Sequence, residues 1–238
     1  MRRNSLGLVS VALAALVMGA LAPVSPAQAE TWRTIRLGGV NVRLSTATTQ
    51  VITVNRTVGW HARIAFWSRS GDGWHRIAGS DVGRIGYGGL VAPTIRKQGS
   101  GTTPTGTYPL LYSFGTGPRE AGWDLRYVRV GPDDYWVEDN ASAYYNRMRS
   151  KTLGGFRWWL GNAVDGSERL ASYPVQYRMS VVIGFNYFEQ VRHRGAGIFL
   201  HVNGPGATAG CVSAPRAFLA RTMRLLDPSR HPVIAIGS

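Results

Sequence analysis

A histidine and a cysteine lie close together near the end of the chain, in residues 197–213 (GIFLHVNGPGATAGCVS). His201 belongs to an apolar run typical of a strand, and Cys211 follows ten positions later, after a loop of Gly, Pro and Ala residues. Such a loop can turn the chain tightly and bring the imidazole and the thiol together. An imidazole can take the proton of a thiol, and the thiolate can then attack a carbonyl carbon to form a thioester. The segment therefore predicts Cys211 as a nucleophile and His201 as its base.

Three features of this segment favour a reactive thiol at Cys211. A free cysteine has a pKa of about 8.5, so it needs a base or a positive field to act at neutral pH, and His201 supplies the base. A helix predicted from residue 214 would place its partly positive N-terminus near the sulfur. Gly210 leaves space beside the sulfur, and the amides of Gly210 and Cys211 are candidate donors to a tetrahedral oxyanion.

The same residues also allow a purely structural interpretation. A lone cysteine is more often a small buried apolar residue than a nucleophile, and a strand histidine can be a hydrogen-bonded core residue. One histidine and one cysteine do not supply four zinc ligands, and no CxxC, HxH or HExxH spacing completes them, so no zinc site is predicted. The remaining histidines have no partner pattern and are expected at the surface or in structural roles: His61, His75, His193 and His231.

Strand-like alternation recurs along the chain and predicts a mainly β fold. Extended runs are predicted at residues 40–44, 50–54, 62–67, 106–112, 126–130, 181–185, 198–202 and 233–236, with hairpin turns at 71–73 and 88–89. Helices are predicted at 141–148 and 214–226, the second capped by Ser213 and with Pro215 in its first turn. We therefore expect packed β-sheets, like a sandwich or barrel, with one or two helices.

The N-terminus predicts export. Arg2 and Arg3 precede an apolar run at residues 6–21, and the small-residue sequence AQA ends at Ala29. This order is typical of a cleavable secretory signal covering residues 1–29, with Glu30 as the first mature residue. The alternative is an uncleaved membrane anchor, but the run is shorter than the ~20 residues that cross a bilayer, and cleavage would leave no stable membrane span. Residues 30–238 are expected to form a single domain, because neither a linker nor a repeat interrupts them.

The charge of the chain suggests anionic partners, although a solvated basic surface with no partner would have the same charge. The formal net charge is +14, and removal of Arg2 and Arg3 with the signal leaves +12. An exported protein meets anionic wall polymers and acidic peptides rather than nucleic acid. Three tryptophans are candidates to line a groove for a glycan or peptide, although aromatic residues also build β cores: Trp123, Trp158 and Trp159.

The combination of motifs resembles the catalytic domain of the L,D-transpeptidases (YkuD type). Residues 103–109 (TPTGTYP) are similar to the Thr-Pro-x-Gly-x-aromatic stretch that precedes the cysteine segment in this family. One branch also carries stretches similar to residues 135–140 (YWVEDN), 144–146 (YYN) and 182–186 (VIGFN), so the resemblance covers most of residues 50–238. The chain departs from the common Ser/Thr-His-Gly-Cys pattern at Ala209, and Ser213 replaces the usual Arg or Asn.

The resemblance implies a β-rich fold and a secreted enzyme of the cell wall that needs no cofactor. By position, Cys211 matches the nucleophile of the family, His201 its proton acceptor and Gly210 the glycine before the nucleophile. The thiolate would attack the carbonyl of the third residue of a peptidoglycan stem tetrapeptide and release the terminal D-alanine. An amine of a neighbouring stem would then form a cross-link, or water would hydrolyse the thioester.

Two other functions fit the same residues. A cysteine amidase or peptidase of the wall would keep Cys211 and His201 and cleave a different bond, although such hydrolases usually place the cysteine before the histidine. A non-catalytic wall-binding module would use the basic surface and an aromatic groove. Unusual reactivity of the Cys211 thiol separates the enzymes from the module.

Overall fold

Alternating burial along the strands explains why this chain folds into β-sheets. The computed structural model describes residues 31–238, so the predicted signal segment 1–29 and the expected mature start at Glu30 lie outside the described residues. In strand His61–Ser70, for example, the buried Ala62 and Ile64 alternate with the exposed His61 and Arg63, and Phe66 continues the buried face. This period of two gives each strand one face for the core. The prediction of a mainly β fold of packed sheets with one or two helices is confirmed.

The described residues contain sixteen strands. They are β1 (Trp32–Leu37), β2 (Val40–Ser45), β3 (Gln50–Arg56), β4 (His61–Ser70), β5 (Gly73–Arg84), β6 (Leu90–Val91), β7 (Thr103–Pro104), β8 (Gly106–Gly115), β9 (Tyr127–Arg129), β10 (Asp134–Trp136), β11 (Met148–Ser150), β12 (Glu168–Arg169), β13 (Ser180–Ile183), β14 (Phe199–Val202), β15 (Val212–Ala214) and β16 (Val233–Gly237). One α-helix, α1 (Arg216–Leu225), lies between β15 and β16. Short 3-10 helices lie at Lys151–Leu153, Trp158–Leu160, Leu170–Ser172, Gln176–Arg178 and Pro228–Arg230.

Eight strands form a closed ring in the order β13, β14, β15, β5, β4, β3, β16 and β8, because β8 also pairs with β13. Strand β9 extends the sheet from β8. Most neighbours in the ring are antiparallel, but β14–β15 and β3–β16 are parallel. Residues 31–238 form one compact unit. Within them, no helix is long and apolar enough to cross a membrane.

The main core is apolar and reaches from the ring to the buried face of α1. Ile64 and Phe66 of β4 and Leu200 of β14 belong to the same buried cluster as Phe218 and Leu219 of the helix. A second buried cluster contains many aromatic residues and includes the Cys211 side chain: Phe114, Val130, Trp136, Tyr145, Leu170, Tyr177, Val182, Ala196 and Phe199. The predicted nucleophile therefore lies at the edge of a packed aromatic cluster.

Three local predictions were wrong. Residues 141–147 form turns rather than a helix and Met148 begins β11, because Asn146 adopts a left-handed backbone (φ 57°) and accepts a hydrogen bond from the Trp136 indole at 2.9 Å. Residues 88–89 do not close a hairpin, since the following β6 pairs in parallel with β7. The helix predicted at 214–226 is present as α1, but its predicted start was wrong, since it begins at Arg216 and Pro215 precedes it instead of lying in its first turn. The turn at 71–73 does join the antiparallel hairpin β4–β5.

Candidate active site

Two neighbouring strands bring His201 and Cys211 to one pocket. His201 lies in β14 opposite Ser213 of the parallel strand β15, and Cys211 directly precedes β15. Because side chains alternate along a strand, Cys211 shares a face with Ser213 and therefore with His201. Both side chains are buried, since Cys211 is 8% exposed and His201 is 6% exposed. Both line a pocket of about 370 Å³. The structure thus places the two predicted residues together.

The His201 ring is oriented by its own strand. Its Nδ1 lies 2.8 Å from the carbonyl oxygen of Val202. A carbonyl only accepts hydrogen bonds, so Nδ1 carries the hydrogen and Nε2 keeps its lone pair. Burial lowers the pKa of His201 to about 4, against the opposing effect of the Val202 carbonyl. The Tyr177 ring packs edge-on at 5.3 Å between centroids and limits rotation of the imidazole. His201 is therefore a neutral, oriented proton acceptor at neutral pH.

The Cys211 thiol is hydrogen-bonded to backbone groups at the start of β14 and just before it. Its Sγ donates to the Gly197 carbonyl at 3.2 Å and accepts from the Phe199 amide at 3.4 Å. Among the described residues, no hydrogen bond joins Sγ to His201. Burial, followed by the nearby Glu168 carboxyl, raises the pKa of the Cys211 thiol far above its ordinary value. The thiol is thus protonated, and transfer of its proton to His201 requires it to turn away from Gly197.

The helix expected beside the sulfur begins too late to act on it. Residues Val212–Ala214 form strand β15, which pairs with β14, and α1 begins only at Arg216. The field of a helix N-terminus falls off within one turn, so the predicted stabilisation of the thiolate by the helix was wrong. The predicted capping residue Ser213 instead donates from Oγ to Asn203 Oδ1 at 2.7 Å.

Gly210 is required by its backbone and by its surroundings. Its φ of +135° is a conformation that residues with a side chain rarely adopt. A β-carbon at this position would lie 2.8 Å from Arg96 Nη2 and 3.0 Å from the Thr102 carbonyl oxygen. Its amide already donates to Thr208 Oγ1 at 3.2 Å. The expected use of this amide as an oxyanion donor therefore requires that hydrogen bond to break.

The second motif, residues 103–109, contacts the loop that precedes the nucleophile. The fully buried Thr103 donates from Oγ1 to the Gly210 carbonyl at 2.8 Å and accepts from the Gly86 amide at 2.8 Å. The loop is also tied by the Tyr87 amide, which donates to the Thr208 carbonyl at 2.9 Å. Thr103 and Gly210, which lie 107 positions apart in the sequence, thus bring the two motifs together at one site.

The pocket contains two carboxyl groups that sequence reasoning did not assign. Burial raises the pKa of Glu138 to about 8 and that of Glu168 to about 7. Tyr177 donates from its hydroxyl to Glu168 Oε1 at 2.8 Å. Glu138 belongs to the YWVEDN stretch, which carries part of the family resemblance but assigns no role to this carboxyl group. The sequence around Glu168 contains no motif that indicates a function for it.

Arg96 is a further pocket residue that sequence reasoning missed. It is only 6% exposed. Its Nε donates to the Thr102 carbonyl at 2.8 Å and its Nη1 to the Arg194 carbonyl at 2.9 Å. Burial lowers the pKa of Arg96, while the nearby Cys211 and Glu138 oppose this effect. A buried arginine in a pocket is unusual, since long charged side chains normally remain in water.

The other candidate residues lie elsewhere. The remaining four histidines are exposed and do not line the pocket: His61, His75, His193 and His231. Trp123 is a core residue at 1% exposure, so its alternative role in the β core is the correct one. Trp158 and Trp159 are exposed at 42% and 64% and line a separate groove. Within residues 31–238, no three His, Cys, Asp or Glu side chains are grouped to hold a metal ion.

Comparisons with known proteins add little. The chain matches no known protein family and no curated protein. It is similar to a solved structure of Bdellovibrio bacteriovorus Bd1075, with 13% sequence identity and a TM-score of 0.42. The match covers 80% of this chain and 48% of the Bdellovibrio chain, so this chain spans about half the length of that protein.

Proposed function

We propose that this protein is a secreted, cysteine-dependent L,D-transpeptidase that acts on peptidoglycan stem peptides. The observation that carries the proposal is the pairing of Cys211 with a neutral, oriented His201 in one pocket. A volume of about 370 Å³ suits a short peptide segment, since small-ligand pockets usually measure about 300–1,000 Å³. The contact of Thr103 with Gly210 supports the family resemblance, because both residues belong to its motifs.

The first half-reaction forms a thioester. The thiol turns from the Gly197 carbonyl, and His201 Nε2 takes its proton as Sγ attacks the carbonyl carbon of the third stem residue. A carbon–sulfur bond forms, and the carbonyl electrons move to oxygen in a tetrahedral intermediate. When the intermediate collapses, the carbon–nitrogen bond to the terminal D-alanine breaks. The His201 imidazolium gives its proton to the leaving amine.

The second half-reaction resolves the thioester. An amine of a neighbouring stem attacks the thioester carbon while His201 accepts the proton of that amine. The carbon–sulfur bond then breaks, and the proton returns from His201 to the Cys211 sulfur. With water as the acceptor, the same steps give L,D-carboxypeptidase activity. Gln176 and Tyr173 line the pocket and can hydrogen-bond to the peptide groups of both stems.

The test is incubation with purified tetrapeptide-stem muropeptides, followed by mass analysis of the products. Wild-type protein should release D-alanine and form either dimers or tripeptides. Cys211→Ser should give no product, because a hydroxyl has a much higher pKa than a thiol. His201→Ala should be slower by about 10²- to 10⁴-fold, and the double variant should be little worse than either single one. The exposed His193 and His231 provide matched histidine-to-alanine controls that should keep full activity.

A covalent probe identifies the nucleophile directly. A carbapenem should add its mass to the intact wild-type protein and not to Cys211→Ser. Adduct formation at full rate in Cys211→Ser would place the nucleophile elsewhere. A wild-type protein that binds walls but gives neither an adduct nor a product would favour the wall-binding module. A product cleaved at another bond would favour the amidase or peptidase.

A further inference from the structure

The Arg96 guanidinium lies beside the backbone of the predicted nucleophile, in a space left by two glycines. A β-carbon on Gly195 would overlap Nη1, and one on Gly210 would lie 2.8 Å from Nη2. Both glycines have positive φ angles, of 97° and 135°. Because Gly210 directly precedes Cys211, the chain brings a cation close to the residue that carries the sulfur. The guanidinium occupies the space that side chains at these two positions would fill.

The hydrogen bonds of Arg96 fix its orientation and leave one nitrogen available. Nε and Nη1 donate to the carbonyls of Thr102 and Arg194. Nη2 donates to no residue within 31–238, although Arg96 lines the pocket. A guanidinium held at two nitrogens loses little freedom when the third acts on a nearby charge.

Arg96 is the main positive charge near the Cys211 sulfur. Among the described residues that line the pocket, Arg96 is the only lysine or arginine. Burial keeps His201 neutral, and it raises the pKa of Glu138 to about 8 and that of Glu168 to about 7, so neither carboxyl group adds a positive charge at any pH. The Tyr177 hydroxyl is also neutral, because burial raises its pKa. A negative charge on the sulfur would therefore meet one full positive charge in this pocket.

We propose that Arg96 stabilises the negative charge that develops on the Cys211 sulfur. It supplies the positive field that the sequence suggested for a helix N-terminus and that α1 begins too late to provide. Arg96 keeps its own protons, and the thiol proton passes to His201 Nε2. The inference rests on the proposed function only in taking Cys211 as the nucleophile.

The test measures alkylation of Cys211 by iodoacetamide from pH 6 to pH 9, followed by intact-protein mass. Arg96→Gln removes the charge, Arg96→Lys keeps it, and Arg224→Gln removes one charge from an exposed arginine that does not line the pocket. Loss of a nearby opposite charge raises a thiol pKa by about one unit or more. Alkylation of Arg96→Gln should therefore be about tenfold slower at each pH. Arg96→Lys should stay within about threefold of wild type, and Arg224→Gln should match it.

Loss of folding cannot imitate the expected result. An unfolded chain exposes the cysteine with an ordinary pKa of about 8.5, so its alkylation would become faster rather than slower. If Arg96→Gln does not fold, Arg96→Lys decides: a wild-type profile supports the role of the charge, and a tenfold loss overturns it. A profile of folded Arg96→Gln equal to that of Arg224→Gln would also overturn the proposal. Because alkylation needs no peptide substrate, these outcomes do not depend on transpeptidase activity.

Discussion

Replacing Thr103 by valine should loosen the loop before Cys211 while leaving its volume almost unchanged. The side chain is completely buried, and its hydroxyl both donates to the Gly210 carbonyl and accepts from the Gly86 amide, each at 2.8 Å. Valine has the same shape without the hydroxyl, so it leaves one buried carbonyl and one buried amide unsatisfied. At about 1–3 kcal/mol per group, Thr103→Val should lower the free energy of unfolding by about 2–6 kcal/mol.

Urea denaturation measures this loss through a lower midpoint at an unchanged slope. Turnover of muropeptides should fall as well, by up to about 10²-fold, because a displacement of about 1 Å at the nucleophile has that effect. Thr105→Val, in the same motif, is the matched control. The partly buried Thr105 hydroxyl makes one longer hydrogen bond, 3.3 Å to the Val91 carbonyl. Thr105→Val should therefore lower the free energy of unfolding by about 1 kcal/mol or less. Equal losses in the two variants would refute a special role for Thr103.

Two further predictions concern buried carboxyl groups. The folded-state pKa of Glu138 is about 8, above its ordinary value. Between about pH 4.5 and pH 8 the folded protein therefore binds more protons than the unfolded chain. Its free energy of unfolding falls as the pH rises through this range. The Tm of Glu138→Gln should therefore rise relative to the Tm of wild type from pH 5 to pH 9. The Tm of the exposed control Glu189→Gln should not rise relative to wild type. Asp139 accepts hydrogen bonds from Arg157, chiefly through the side chain, which lowers its pKa to about 2. Asp139→Asn should lower the free energy of unfolding by about 1.5–3 kcal/mol at pH 7, and urea titrations should show the difference shrinking as the pH falls from about 4 to 2.

Long strands were predictable because each carries its own pattern. The alternation in β4 and the β-branched run in β3 reveal a buried face without knowledge of their neighbours. Strand β15 has only three residues and no period to detect. Ser213 and Pro215 satisfied the rules for a helix start, but pairing with β14 places Ser213 in a strand that continues to Ala214. The contacts between strands decided this boundary, and they are not visible in a local stretch of sequence.

The candidate site was predictable only where its residues are close in sequence. His201 and Cys211 are separated by one loop, so their spacing and residue types suggested a common site. Arg96 lies 115 positions before Cys211, and only the folded chain brings it beside Gly210. Glu168 likewise reaches the pocket through the pairing of β12 with β10. Such residues carry no local signal, because their role depends on long-range packing.

The electrostatics of the pocket indicate how the proposed nucleophile is activated. Burial disfavours both the Cys211 thiolate and the His201 imidazolium, so a stable ion pair does not form before substrate binds. Proton transfer must then accompany attack on a carbonyl, because the new carbon–sulfur bond disperses the charge that the pocket would otherwise hold. Arg96 and the Phe199 amide reduce the free energy of the charge that remains on sulfur during this step. A thiol activated in this way reacts most rapidly with an acyl group that the pocket has positioned, so acylation by a carbapenem, rather than general thiol labelling, separates the enzymes from the wall-binding module.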